Sequence, residues 1–247
     1  MGRGLSGLVL SALGAKTHKV TVLDKQPHGE HMLRIHFHSD TLLEPVEAPG
    51  DWLRMWFPDD RGKLYQRGYT MINPDYSEGT FDVDILQHDP PGPAVRWARR
   101  CEAGEVIEAT RYSGKVFSLI QPQPAGYLFL GDMTSLPAIR DLVAAIPEEV
   151  PVVVRLVDRA GDEGGGATTP AIRENLDFAW IPELPEGRTF LPTLEAGDFS
   201  GWYAWVAAET VETRLAKTAL SREHLVSGPL LHSQAYWIRG RAMGTEK

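Results

Sequence analysis

The feature that most constrains this chain is a change in hydrophobic period near its middle. In the first half, apolar residues alternate with polar ones: Val20 and Val22, then Leu33, Ile35 and Phe37, then Phe81, Val83 and Ile85. A two-residue period puts every second side chain on one face, the mark of a half-buried strand. Trp52 to Phe57 and Tyr69 to Ile72 predict two further strands. Turn-forming clusters separate them, at Pro27-His28-Gly29, Pro49-Gly50-Asp51, Asp59 to Gly62, Asn73-Pro74-Asp75 and Ser77-Glu78-Gly79. Short strands at this spacing predict a small antiparallel β-barrel. One helix interrupts it, from Pro93 to about Cys101, with proline suited to the first helical turn.

The second half has a different grammar. Tyr127 to Leu130 is a continuous apolar run ending at Gly131-Asp132, and a helical pattern follows from Leu136 to Ile146. Val150 to Val157 and Trp202 to Ala207 are further buried-type strands, the latter followed by a helix from Val211 to about Leu225. Strand alternating with helix predicts an α/β domain whose parallel sheet is joined by crossovers. Gln121-Pro122-Gln123-Pro124 lies between the two regimes and predicts a boundary, with domains over 1–120 and 125–247. Arg159 to Thr169, with Gly164, Gly165 and Gly166, reads as a mobile surface loop; it lacks the Lys-Ser/Thr of a phosphate loop.

Composition removes several function classes. A net charge of −8 argues against a nucleic-acid binder, which carries a basic stripe. The single cysteine, Cys101, forbids an intrachain disulfide and suits a reducing compartment, so the expected location is cytoplasmic. No apolar stretch is long enough to span a bilayer, and a soluble protein with no membrane partner is expected. The apolar run from Leu5 to Leu13 is broken by glycine and serine and lacks a clear cleavage site. Gly2 and Ser6 match a myristoylation spacing, but the preferred reading of this region is a short helix or loose arm.

Three constellations carry chemistry. In Arg67-Gly68-Tyr69-Thr70, alternation places Arg67 and Tyr69 on one side of a strand and Thr70 on the other. A guanidinium can hold a diphosphate and an aromatic ring can cover a flat heterocycle. The second is Asp84, His88 and Gly92-Pro93-Ala94-Val95, followed by Arg96 and Trp97. Here a loop runs into a helix N-terminus, whose free N–H groups and dipole suit a diphosphate. Arg96, Arg99 and Arg100 add positive charge, usually the sign of a solvated helix face. The third is Gly131-Asp132-Met133-Thr134-Ser135-Leu136-Pro137-Ala138-Ile139, a strand-to-helix turn where a ligand is expected and where Thr134 and Ser135 can cap the helix.

These motifs, with Trp205-Val206-Ala207-Ala208-Glu209 and Tyr236-Trp237-Ile238-Arg239-Gly240, resemble in order and spacing those of the siderophore-interacting protein family. The resemblance implies FAD in the barrel, NADPH, NADH or reduced ferredoxin as donor, and a ferric siderophore or other ferric chelate as acceptor. It further implies an FAD-dependent ferric-chelate reductase with Tyr69 and Thr70 at the flavin. Cofactor contacts are expected from Arg67, Gly68, Tyr69, Thr70, Asp84, His88, Gly92, Pro93, Ala94, Val95, Trp97, Asp132 and Thr134. Lys63, Arg111, Lys115, Arg239 and Arg241 are candidates for a basic patch that receives an anionic chelate.

The chain also departs from the family pattern. Ile72 stands for a second arginine, Val95 for serine, Met133 for an acidic residue and Ala208 for glycine. Losing a charged hydrogen bond weakens binding by about ten- to hundredfold. An alternative is therefore a relative with an eroded FAD site, acting without cofactor in specialised metabolism or carrying a small molecule in an apolar pocket lined by Ile72, Val95 and Met133. His36 and His38, two apart on a strand with His31 nearby, form a weak metal motif, and no metal is expected.

Overall fold

A computed structural model describes residues 16–43, 49–111 and 117–241. The N-terminal arm, with Gly2 and Ser6, and Lys115 lie outside these residues. The chain divides into two compact units, over Met1–Phe117 and Ser118–Ala242, with Met243–Lys247 grouped with the first.

The first unit is built from β1 (Thr17–His28), β2 (Met32–His38), β3 (Trp52–Pro58), β4 (Leu64–Thr70), β5 (Ile72–Asp75), β6 (Thr80–Leu86) and β7 (Val106–Arg111). They form one sheet in the order β4-β3-β7-β1-β2-β6-β5, with every pair antiparallel. Strand β4 also touches β6, which curls the sheet toward a barrel. The alternating apolar residues do what their period demands: Val20, Val22, Ile35, Phe37, Phe81, Val83 and Ile85 share one core. The expected strand from Tyr69 to Ile72 is instead two strands. Thr70 ends β4 and Ile72 begins β5, while the buried Met71 between them hydrogen-bonds the Asp51 carbonyl. Strand β7 went unseen in the sequence because Glu108 and Thr110 break its apolar run; it pairs with both β1 and β3.

Helix α1 (Pro93–Arg100) turns one face into this core. Ala94, Val95, Trp97 and Ala98 are buried, and Trp97 packs on Phe57 and Phe37 at ring distances of 5.1 and 6.3 Å. The Trp97 indole N–H, which needs a partner once buried, donates to Glu105 at 2.7 Å.

The second unit holds a parallel sheet, in the order β10-β9-β8-β11-β12. Its strands are β8 (Tyr127–Asp132), β9 (Val152–Asp158), β10 (Leu176–Pro182), β11 (Tyr203–Ala207) and β12 (Leu231–Ser233). Helices α2 (Leu136–Ala144), α3 (Leu191–Ala196) and α4 (Thr210–Glu223) accompany them. Every residue of β8 and β11 is buried, as expected for central parallel strands. The half-buried edge strand β10 carries Asp177 and Trp180 in a mixed pattern that the sequence reading passed over. The chain reverses its direction of sheet growth between β8 and β11, so their carboxyl ends form the crevice where ligands bind in such folds.

Candidate functional site

In the first unit, Arg67 and Tyr69 share the side of β4 that faces Met55 and Leu53 across the hairpin. Arg67 is half-buried, donates to its neighbour's carbonyl at Gln66, 2.7 Å away, and meets no carboxylate among the described residues. Burial lowers its pKa, against a smaller opposing pull from Tyr69 and Tyr65. An arginine stays charged regardless, which leaves an uncompensated cation suited to an anion. The Tyr69 ring packs edge-on against Phe57 at 5.7 Å, and burial raises its phenol pKa. Its hydroxyl and that of Thr70 have no hydrogen-bond partner among the described residues. Gly68 leaves the backbone open beside the Trp52 ring, which a Cβ at this position would meet at 3.4 Å.

Helix α1 supplies a second anion-binding element in the same unit. Its N-cap is Gly92, no side chain caps the first turn, and Pro93 follows at the first helical position. The free N–H groups of that turn and the helix dipole favour an anion. His88 lies alongside, 3.8 Å from where a Gly92 Cβ would stand. Together with Arg67 these groups fit a diphosphate, and the accessible part of Tyr69 beside Thr70 fits a flat ring system. The fit survives the departures at Ile72 and Val95, because both side chains are buried, at 0% and 2% exposure. Both side chains are packed into the interior of the first unit.

Several of the residues expected at the cofactor or chelate have partners within the protein. Asp84 is buried and receives Arg34 Nε and Nη2 at 2.7 and 2.8 Å; that hydrogen bond raises the Arg34 pKa. It is a scaffold pair between β2 and β6. Trp97 has no exposed surface and belongs to the core. The Ala94 and Val95 side chains also face inward, so only their backbone remains toward the helix entrance. Arg111 pairs with Asp51 at 2.7 Å and registers with Leu53, whereas Lys63 sits over the Tyr65 ring at the other end of the β3–β4 hairpin. Five residues along a strand separate these ends, about 16 Å, so the two do not form one patch. His36 is held by Asp82 at 2.7 Å, and among the described residues no three metal-binding side chains converge.

The crevice of the second unit is organised by a residue the sequence reading left in a loop. Arg159, directly after β9, lies 2.6 Å from both Glu183 and Glu212 and 3.4 Å from Asp132, and stacks over Trp237 at 5.0 Å. Burial lowers its pKa, but the Glu212 hydrogen bond and the three negative charges outweigh that and raise it. Asp132 is itself saturated, accepting from Trp237 Nε1 at 2.8 Å, the Thr134 N–H at 2.9 Å and the Thr134 hydroxyl at 2.5 Å. Asp132 and Thr134, expected as cofactor contacts, brace each other and the C-terminal segment. Neither Thr134 nor Ser135 caps α2; the Ser135 hydroxyl bonds the Asp132 backbone. Arg239, expected to receive a chelate, pairs with Glu183 and covers Trp237. A recess of about 510 Å³ opens here, lined by Glu183, Glu186, Glu209, Glu212 and Arg239 with Val211.

Comparisons with known proteins agree with this architecture. The family described as siderophore-interacting FAD-binding domain matches residues 16–115, and that described as siderophore-interacting protein matches residues 124–240. The mycobactin import ATP-binding/permease protein IrtA of Mycolicibacterium smegmatis is 36% identical over 251 residues, which cover all of this chain and 29% of that protein. The chain thus spans less than a third of that relative's length. Among solved structures, a siderophore utilization protein from T. fusca superposes with a TM-score of 0.77 at 20% identity, covering 94% of this chain and 96% of the other. The siderophore-interacting protein SipS from Aeromonas hydrophila gives 0.74 at 18% identity, covering 92% and 94%. With both units matched in order and the barrel fitting a flavin dinucleotide, the chain belongs to the siderophore-interacting protein family and FAD is its cofactor.

Proposed function

We propose that this chain is an FAD-dependent reductase that passes electrons from a nicotinamide nucleotide to chelated ferric iron, releasing the metal as ferrous iron. The observation that carries this reading is the half-buried Arg67 without a carboxylate, in the same barrel unit as the uncapped α1 N-terminus. Arg67 would hold the diphosphate, Gly68 would let the backbone approach, Tyr69 would cover the ring and Thr70 would offer its hydroxyl to the ring edge. Bound FAD supplies the conversion of a two-electron hydride donor into single electrons. The acceptor is a ferric siderophore or a related anionic chelate, because ferrous iron leaves hard oxygen ligands more readily than ferric iron.

The donor is assigned to the crevice of the second unit, at the carboxyl ends of β8 and β11. Four glutamates line its recess, so NADH meets less repulsion there than NADPH with its additional phosphate. The single reduced thiol, Cys101, suits work in the cytoplasm.

The test is direct. Purified protein should be yellow or take up added FAD, and should oxidise NADH, more slowly NADPH, when a ferric chelate and a ferrous-specific dye are present. A preparation that stays colourless after incubation with FAD overturns the reading. Reduction of its bound FAD by a reduced ferredoxin but by neither nucleotide would move the donor assignment only.

A further inference from the structure

Two guanidiniums of the second unit converge on one oxygen of Glu183. This residue follows β10 directly and leads into the tight turn Pro185–Gly187, which packs on the first turn of α4: a Cβ on Gly187 would stand 2.7 Å from Val211 Cγ1. Its Oε1 accepts from Arg159 Nη1 at 2.6 Å and from Arg239 Nη2. Both cations also lie over the Trp237 ring, at 5.0 and 5.4 Å. Arg159 has Glu212 and Asp132 besides, whereas Arg239 has no other carboxylate among the described residues. Arg239 is well exposed, and it lines the acidic recess together with Glu183.

A guanidinium recognises carboxylate and phosphate oxygens with the same fork of donors, so an internal acid and an incoming phosphate compete for it. The other three glutamates of the recess hold different posts. Glu209 is buried and accepts the Val211 N–H at the start of α4 and the Arg239 backbone N–H. Glu212, also buried, is held by Arg159 and Thr189. Glu186, in the turn, forms no ion pair among the described residues. Glu183 alone stands between the recess and a cation that could receive a phosphate. With it, Arg159 and Arg239 face an excess of negative charge from Glu183, Glu212 and Asp132; without it, the charges balance and Arg239 is released.

We propose that Glu183 sets the donor preference: by holding Arg159 and Arg239 through one oxygen, it denies them to the additional phosphate of NADPH and leaves the crevice to NADH. The proposal rests on the donor reading above and narrows its four glutamates to one. Glu183 acts through the two arginines and has no part in electron transfer.

The test compares the FAD-loaded wild-type chain with Glu183→Gln, Glu183→Ser, Glu186→Gln and the double variant Glu183→Gln/Arg239→Met. Calorimetry with the unreactive NAD+ and NADP+ gives the affinities, and steady-state rates with NADH and NADPH give the ratio of KM values. Wild type should prefer NAD+. Glu183→Gln should raise the affinity for NADP+ relative to NAD+ by about tenfold or more, with Glu183→Ser moving the same way. The double variant should lose most of that gain, because Arg239 supplies it. Glu186→Gln, which takes the same charge from the same recess, should shift the ratio by less than about threefold. The gain in Glu183→Gln should shrink as salt is raised. An unchanged ratio in both Glu183 variants, an equal gain in Glu186→Gln, or a gain that survives Arg239→Met overturns the proposal while the donor reading stands. A wild-type chain that prefers NADP+ overturns it as well. A wild-type chain that holds FAD yet binds neither nucleotide sinks the donor reading, and the proposal with it.

Discussion

Arg159 and Glu212, 53 residues apart in sequence, meet at 2.6 Å where the carboxyl end of β9 faces the first turn of α4. Glu212 is buried, and its other oxygen accepts the Thr189 hydroxyl at 2.8 Å. This pair ties three separate segments to the crevice and fixes the floor beside the acidic recess.

Glu212→Ala should therefore loosen the second unit. It removes charged hydrogen bonds to Arg159 and the acceptor of the Thr189 hydroxyl, whose oxygen still accepts the Leu184 N–H, while Arg159 keeps Glu183 and Asp132. A loss of about 2–3 kcal/mol in unfolding free energy is expected from urea titration. An unchanged midpoint would show that the pair is replaced by water without penalty.

Arg67→Met should weaken FAD binding by about ten- to hundredfold, because the uncompensated guanidinium no longer meets the diphosphate. Flavin titration of the apoprotein reads this directly. Tyr69→Phe, by contrast, should bind FAD within about threefold of wild type, since its hydroxyl has no partner among the described residues and the ring is kept.

Gly131→Ala tests the close approach of β8 and α2. An added Cβ would stand 2.2 Å from Ser135 Oγ, 2.6 Å from Ile139 Cδ1 and 3.2 Å from the Ala207 carbonyl. Overpacking at this site should destabilise by about 1–3 kcal/mol, visible as a lower melting temperature. A neutral substitution would mean that the helix can shift outward at no cost.

The pH dependence has an assigned contributor in Asp158. Burial pushes its carboxyl up, but the N–H groups of Glu163, Gly161 and Asp162 outweigh that and hold it below the usual range. A carboxyl depressed in the folded state contributes stability above its unfolded pKa, about 3.9, and loses it as the pH falls through the folded value. Wild type should thus exceed Asp158→Asn in urea midpoint at pH 7, with the gap closing below about pH 4. A gap that stays constant down to pH 2 would contradict the assignment.

Much of the architecture is legible before folding. The two-residue period of Val20, Val22, Ile35, Phe37, Phe81, Val83 and Ile85 is a local property, and so is the apolar run of Tyr127 to Leu130. Each dictates a strand with a given buried face whatever surrounds it. The Gly92-Pro93 start of α1 is local for the same reason: a missing side chain and a fixed φ act on the residues beside them.

The identities of the site residues are another matter. Asp84 and Trp97 stand at motif positions, yet the structure gives them to Arg34 and to the barrel core. Arg159 looked like the first residue of a loop and is the hub of the second unit. Arg96, Arg99 and Arg100 are alike in a linear reading, and only their partners separate them. What the sequence determined by itself was the strands and helices with a clear hydrophobic period and the change of regime between the two units, because period and turn chemistry act over a few residues; β7 and β10, whose patterns are mixed, needed their neighbours. Only the tertiary structure decided which charges are neutralised and which remain free, because opposite charges find each other across tens of residues that carry no local trace of the meeting.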